Sequence, residues 1–444
     1  MLLFKRYKNI IVLGTVSFFT PFAVSSGFQI WDQNASDTAN CHAGSASEAN
    51  NASTAFYNPA GMSYLDKQHI SLGFSQLVPR VKFKGTVGVS SGNVQPDDFN
   101  SFNTKFSPAN SRRSVIVPNI YYTVPVDDNW HAGFGINAPF GSTLKYDKHS
   151  WVRYTGVETN IQVVNVLSAL SLRVSPSLSV GLGLDLQGMS ETLKTNINAV
   201  GGNAPSESYS VNRVNSLAPG FHGGVLYQLF PRTRLGISYH SPVKHKLRGI
   251  SKFTGPLVAS LISVDSIKTH KIRTNVVLPS TTTVSLFHQL NQWDLLGSLS
   301  YTKWSCIKNF KFSNLTGIDI DSNLSKRLTI IAPASLHDTW NLALGTHYHI
   351  NKEIYLQFGL GFDQSPVRLT GRSTRFPDAD RYAVSAGLHY QVNSAFNVDI
   401  GWRYIIIKKG KIKVMQQNGG MTTNTIGHSS GYINTAGVQL SYKF

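Results

Sequence analysis

The sequence predicts an all-β fold: a transmembrane barrel of fourteen antiparallel strands whose lumen is plugged by an amino-terminal hatch. Three observations carry the prediction. Apolar and polar residues alternate over segments often longer than ten residues. Connections alternate between tight turns and long loops, as in outer-membrane barrels. An export signal heads the chain, and no run after residue 25 reaches the ~20 apolar residues that a spanning helix needs.

Residues 1–25 form the signal. Lys5, Arg6 and Lys8 supply a basic region, residues 10–22 an apolar one, and Ala23-Val24-Ser25 a small-residue cleavage site. Of the formal charge of +18, cleavage removes three positive groups and no negative ones, leaving +15. An exported chain seldom meets nucleic acid, so no nucleic-acid partner is expected. The charge clusters at Arg112-Arg113, at Lys244, Lys246 and Arg248, and at Lys408, Lys409, Lys411 and Lys413. It is better matched to anionic outer-membrane lipid or lipopolysaccharide.

Residues 26–67, the expected hatch, are small and polar and lack the alternation found later. Too few large apolar groups occur there for a private core, so the segment must borrow one. Asn58-Pro59 sets a turn and Gly61 relaxes the backbone after it. An isolated Asn-Pro-Ala-Gly reads simply as a surface turn. The position between signal and strands favours a plug.

Residues 68–444 form the barrel. Leu178, Val180, Leu182, Leu184 and Leu186 share one face, against Gly181, Gly183, Asp185 and Gln187 on the other. The same pattern repeats at residues 354–363, 396–404 and 432–444. Tight turns fall at 125–129, 175–177, 230–232, 290–292, 350–352 and 392–395. Long loops fall near 85–111, 139–158, 190–210, 249–271, 313–335, 369–379 and 416–428. Six turns and seven loops imply fourteen strands with both termini on the turn side. Closure follows because an open strand edge in lipid leaves peptide groups unpaired at several kcal/mol each. A soluble sandwich would bury the apolar faces in a shared core, but such long strands suit a tilted bilayer crossing.

Candidate site residues come from three places. Strand three, expected at 130–138, carries Gly133 and Gly135 and runs into Pro139, residues that weaken pairing and invite a bend. Ordinary strand-end glycines are the alternative. Asp363 and Arg381 face inward by parity on neighbouring strands at similar height, either bracing the wall or contacting the hatch or a substrate carboxylate. His347 and His349 share a face without an evident third ligand, so no metal site is expected. No nucleophile elbow occurs, and neither enzyme activity nor a cofactor is expected. Cys41 and Cys306 imply no disulfide framework and are taken as unpaired.

The chain resembles the long-chain fatty acid outer-membrane transporters, the FadL family with its TodX-like aromatic-hydrocarbon importers. The matching stretches are Gly27-Phe28-Gln29, Tyr57-Asn58-Pro59-Ala60-Gly61, Ala138-Pro139-Phe140-Gly141, Ser241-Pro242-Val243-Lys244-His245, Thr302-Lys303-Trp304-Ser305, Asp338-Thr339-Trp340, Phe362-Asp363-Gln364-Ser365-Pro366-Val367 and Pro377-Asp378-Ala379-Asp380-Arg381-Tyr382. Trp151-Val152-Arg153-Tyr154 is similar but lacks an expected glycine.

The resemblance implies a hatch-plugged barrel in a Gram-negative outer membrane, with strand three kinked inward to leave a side opening. Asn58, Pro59 and Ala60 are implied to pack near that kink, and Phe28 near the pocket. The expected partner is a hydrophobic small molecule and the expected state a monomer. The function it implies is passive uptake of hydrophobic compounds, above all long-chain fatty acids, with lateral release through the gap. A sixteen-carbon chain would gain on the order of 10 kcal/mol in a fitted apolar site. A general diffusion porin or a surface adhesin with basic extracellular loops are the alternatives.

Overall fold

The computed structural model describes residues 27–91, 102–147, 149–197, 208–256, 258–259, 263–319, 324–334, 336–418 and 421–444. The expected signal therefore lies outside the described residues. A closed fourteen-strand antiparallel barrel is formed. The strands are β1 His69–Ser91, β2 in three pieces (Asn103–Phe106, Ala109–Ser111, Val115–Pro125), β3 Trp130–Lys145, β4 Glu158–Ser175, β5 Leu178–Ile197 and β6 Ser208–Phe230. Next come β7 (Thr233–His240, Val243–Thr254), β8 (Ser266–Leu278, Thr281–Leu290), β9 (Trp293–Thr302, Asn309–Asp319) and β10 (Leu324–Pro333, Thr339–His349). The last four are β11 Ile354–Asp363, β12 Arg381–Gln391, β13 Phe396–Asn418 and β14 Met421–Lys443. β1 and β14 close the cylinder along an unbroken ladder from His69↔Lys443 to Ser91↔Met421.

Alternation sets the two faces. Leu182 and Leu184 are 72% and 69% exposed on the lipid side, whereas Asp185 and Gln187 are buried on the inner side. In lipid, outward leucines and inward polar groups are both in their preferred medium. Among the described residues no helix is long and apolar enough to cross a membrane.

Several expected loops are shorter than the sequence suggested. β13 and β14 each run 23 residues, so most of the expected loop at 416–428 is ladder, with Gln416 opposite Thr423. β3 likewise continues past Pro139 to Lys145. A crossing needs only ~9–11 residues, so these strands project beyond the bilayer, where the outward face is polar and apolar residues such as Leu144 and Ile412 turn inward instead, so the apolar-outward signal is lost.

Residues 27–67 pack against inward-facing residues of the barrel wall. They form two short helices, α1 Ala35–Ala39 and α2 Thr54–Tyr57, and a 3-10 turn Pro59–Tyr64. Small residues let this segment lie against the wall. Ala35, Ala39, Ala43, Ala52, Ala55 and Ala60 are fully buried. Opposite them the wall is glycine: a Cβ on Gly345 would stand 2.9 Å from Ala43 Cβ, and one on Gly437 3.1 Å from Ala35 Cβ. The segment's polar groups bond directly to the barrel. Asp32 pairs with Arg403 at 2.5 Å, the Gly44 N–H donates to Ser298 Oγ at 2.9 Å, and Ser63 Oγ donates to Ser179 Oγ at 2.6 Å. Cys41 and Cys306 are both free thiols.

Candidate functional site

β3 leaves its neighbour halfway up the wall. Its ladder with β2 ends at Ile120↔Ile136, while pairing with β4 continues to Lys145↔Glu158 after a register shift between Asn137 and Phe140. Residues 115–119 of β2 and 137–144 of β3 thus face each other without a ladder, until Ser111 and Tyr146 meet again in an isolated bridge. Pro139 sits where no donor is required on that side, the position in which a sheet tolerates proline.

The luminal segment takes the missing strand's place. The Ile30 N–H donates to Pro139 O at 2.8 Å and the Gly141 N–H to Phe28 O at 2.7 Å. The Gln33 amide acts as a surrogate peptide, donating to Ala138 O (2.9 Å) and accepting from the Ala138 N–H (3.2 Å). Tyr121, on β2, donates to Gln33 O at 3.0 Å. Behind the gap lie Ile30, Val115, Val117 and Ala138, all buried in one apolar cluster.

Phe28 is held at the centre of an aromatic nest. Its ring lies 5.0 Å from Trp304, edge-on at 73°, 5.9 Å from Phe140 and 6.2 Å from Phe376. Trp304 reaches inward because β9 breaks at a short 3-10 turn, Trp304–Cys306. β7, β8 and β10 break as well, at Ser241-Pro242, at Pro279-Ser280 and between Pro333 and Thr339. The nest belongs to a large apolar cluster inside the barrel with Ile161, Val163, Met189, Leu247, Ile272 and Phe312.

Beside the nest is a cavity of about 200 Å³ lined by Ile161, Leu193, Phe310, Phe312, Leu315, Ile330 and Phe376, with Glu191 and Arg375 as its charged residues. Arg375 comes from the segment between β11 and β12. Its guanidinium donates to Glu158 O and Thr159 Oγ1 on β4, both at 3.3 Å, and to Lys194 O (3.3 Å) and Thr195 Oγ1 on β5. Those acceptors are neutral, and no carboxylate lies within ion-pairing distance among the described residues. Burial pulls the guanidinium down to about 10, which leaves it charged at neutral pH. Glu191 Oε2 is buried without a hydrogen-bond partner.

Phe28, expected near a pocket, lies in the nest beside this cavity. Asn58, Pro59 and Ala60, expected near the kink, lie elsewhere: Asn58 donates to Val225 O of β6 at 3.1 Å, and Pro59 and Ala60 pack over Gly181 of β5. Gln33 occupies the kink instead. Gly133 and Gly135 precede the bend and allow close approach, a Cβ on Gly133 standing 2.9 Å from Ala55 Cβ. Pro139 is at the bend itself. Asp363 and Arg381 pair at 3.7 Å, and Arg381 also pairs with Asp378, which accepts from the Gly27 N–H at 3.0 Å.

His347 and His349 turn toward carboxylates, His349 Nε2 lying 2.7 Å from Asp294. Among the described residues the group spaced to share a cation is Asp185, His222 and His240. His222 already bonds Asp185 at 2.8 Å and Ala55 O at 2.9 Å. Nothing in the sequence singled out Arg375 or Gln33, since neither has a periodic or motif signal linking it to β4 or β3.

The family described as outer membrane protein transport protein (OMPP1/FadL/TodX) matches residues 16–444. Outer membrane protein P1 of Haemophilus influenzae is 27% identical, over 95% of this chain and 96% of that protein. The long-chain fatty acid transport protein of Escherichia coli K12 is 24% identical, over 86% and 88%. Among solved structures, a Pseudomonas aeruginosa FadL homologue superposes with a TM-score of 0.81 at 21% identity, covering 94% of this chain and all (100%) of that one. The toluene transporter TodX of Pseudomonas putida gives 0.66 at 15% identity, covering 93% and 98%. With its barrel closed and its lipid-facing belt intact, the chain belongs to the OMPP1/FadL/TodX family of outer-membrane transport proteins of Gram-negative bacteria.

Proposed function

We propose that the protein is a passive importer of long-chain fatty acids that binds its ligand beside Phe28 and releases it sideways between β2 and β3. The observation carrying the reading is the aromatic nest and its cavity, which combine an apolar lining with a buried guanidinium bonded to neutral acceptors, Glu191 across the cavity being its charge partner beyond ion-pairing distance. An acyl chain gains ~0.8 kcal/mol per methylene removed from water. Arg375 offers its carboxylate a charge-assisted partner. From the nest, the Phe28–Ile30 backbone leads directly to the unladdered stretch of β3, so displacing residues 27–33 would open cavity and wall together. Residues 26–67 act as the plug in this reading.

Cavity size favours a second reading. A cavity of 150 Å³ accommodates benzene, so the present 200 Å³ suits a small aromatic hydrocarbon without rearrangement, whereas a long acyl chain requires the nest to part. Uptake of radiolabelled oleate and of toluene by a transporter-deleted host carrying this protein tests both. Oleate uptake that Phe28→Glu abolishes and Phe28→Leu retains is the expected result. Toluene uptake without oleate uptake would replace the first reading by the second. Steady large conductance to small ions with neither uptake would make the barrel a general porin.

A further inference from the structure

The outward face of β13, β14 and β1 carries a dense ridge of cations directly above the lipid-facing belt. On β1 the outward series runs Leu72, Phe74, Gln76, Val78 and then Arg80, Lys82 and Lys84. On β13 it runs Ile400, Trp402, Tyr404 and Ile406 before the register shift between Ile407 and Gly410. That bulge changes which parity faces outward. Lys408 and Lys409 are both exposed, and Lys411 and Lys413 continue the outward face while Ile412 is buried. β14 lies between, with Lys82 opposite Ser430, and with Lys84 and Lys411 flanking His428 from either side. Arg112, just after the Ser111 that pairs with Val81, extends the ridge onto β2.

Two features make this face a binding surface rather than scattered solubilising charge. Among the described residues no acid pairs with Lys82, Lys84, Lys411 or Lys413; the nearest ion pair on this side is Lys408 with Asp380 at 4.0 Å, at the lower edge of the ridge. The face also stands on an aromatic girdle. Trp402 stacks on Tyr404 at 6.4 Å, Tyr404 meets Tyr432 tilted at 5.5 Å, and Arg80 lies over the Tyr432 ring at 5.8 Å. Such girdles mark the level of the membrane interface. The cations therefore stand at the height of outer-leaflet headgroups, with apolar strand faces below them.

We propose that this seam binds a phosphorylated glycolipid of the outer leaflet, its phosphates on Lys82, Lys84, Lys411 and Lys413 and its acyl chains along the belt beneath. Neighbouring cations mutually repel, and phosphates that each accept several charge-assisted hydrogen bonds relieve that repulsion. The site goes beyond the transport reading and does not depend on it.

Native mass spectrometry of the full-length protein in detergent, titrated with diphosphoryl lipid A and with dephosphorylated lipid A, tests the proposal. Wild type should bind the diphosphoryl form at least tenfold more tightly. The K82Q/K84Q/K411Q/K413Q variant should lose that preference. A charge-matched K244Q/K246Q/R248Q/R273Q variant, altered on the exposed face of β7 and β8, should keep it within twofold. Equal affinity for the two lipids in wild type, or equal losses in the two variants, would overturn a site at the seam. Resistance of the barrel to SDS checks folding, and should the quadruple variant not fold, K411Q/K413Q takes its place with a threefold loss expected.

Discussion

Replacing Asp32 by asparagine should loosen the luminal segment without disturbing the barrel. The Asp32 carboxylate lies 2.5 Å from the Arg403 guanidinium, and the two side chains are only 2% and 6% exposed. Removing one partner of a buried pair costs about 3–5 kcal/mol, because the other charge is stranded. Asp363 lines the same crevice and gives Arg403 a second carboxylate to lean toward, so the lower end applies. A loss of about 3 kcal/mol is roughly a hundredfold shift in the opening equilibrium. Hydrogen–deuterium exchange read by mass spectrometry reports local opening of this kind. Peptides from residues 27–45 should exchange roughly a hundredfold faster in Asp32→Asn, while those from β13 and β14 stay as in wild type. Asp32→Asn with Arg403→Gln leaves two neutral amides and should restore most of the protection. Unchanged exchange in the single variant, or no recovery in the double, would refute a segment held in place by buried charge.

Other outcomes follow from the same packing. Burial pushes the Asp37 carboxyl in α1 from its ordinary 3.8 up to about 7, and burial likewise pushes Glu48 well up. The docked segment then holds protons that the released one gives up, so docking should weaken as pH rises from about 4 to 7, by up to about 4 kcal/mol from Asp37. Intrinsically corrected exchange of residues 35–40 should be faster at pH 8 than at pH 5, and an undiminished pH slope in Asp37→Asn would count against this. Gly345→Val should lower the melting temperature through about 1–3 kcal/mol of overpacking against Ala43. Gly297→Ala should be neutral in the same melt, since its Cβ meets nothing nearer than 3.8 Å. Trp304→Ala removes a side chain only 1% exposed and should cost about 3–5 kcal/mol in thermal unfolding. If the melting curve did not move, the aromatic nest would not be packed as described.

By itself the sequence determined the barrel, its strand number and its inside and outside, because a period of two against lipid is a local property that each strand repeats. Leu182 and Leu184 declare their face whatever lies across the lumen. The inward parity of Asp363 and Arg381 was equally legible, and the two residues do pair. Only tertiary structure decided how the wall opens and what fills it. Gly133, Gly135 and Pro139 pointed to a bend; it falls around Pro139, between Asn137 and Phe140, past the two glycines, because β3 there exchanges β2 for the Phe28–Ile30 backbone and the Gln33 amide. Arg375 meets its acceptors across more than 170 residues of chain. Contacts of that range depend on which strands the closed cylinder brings level, and no spacing along a single strand records them.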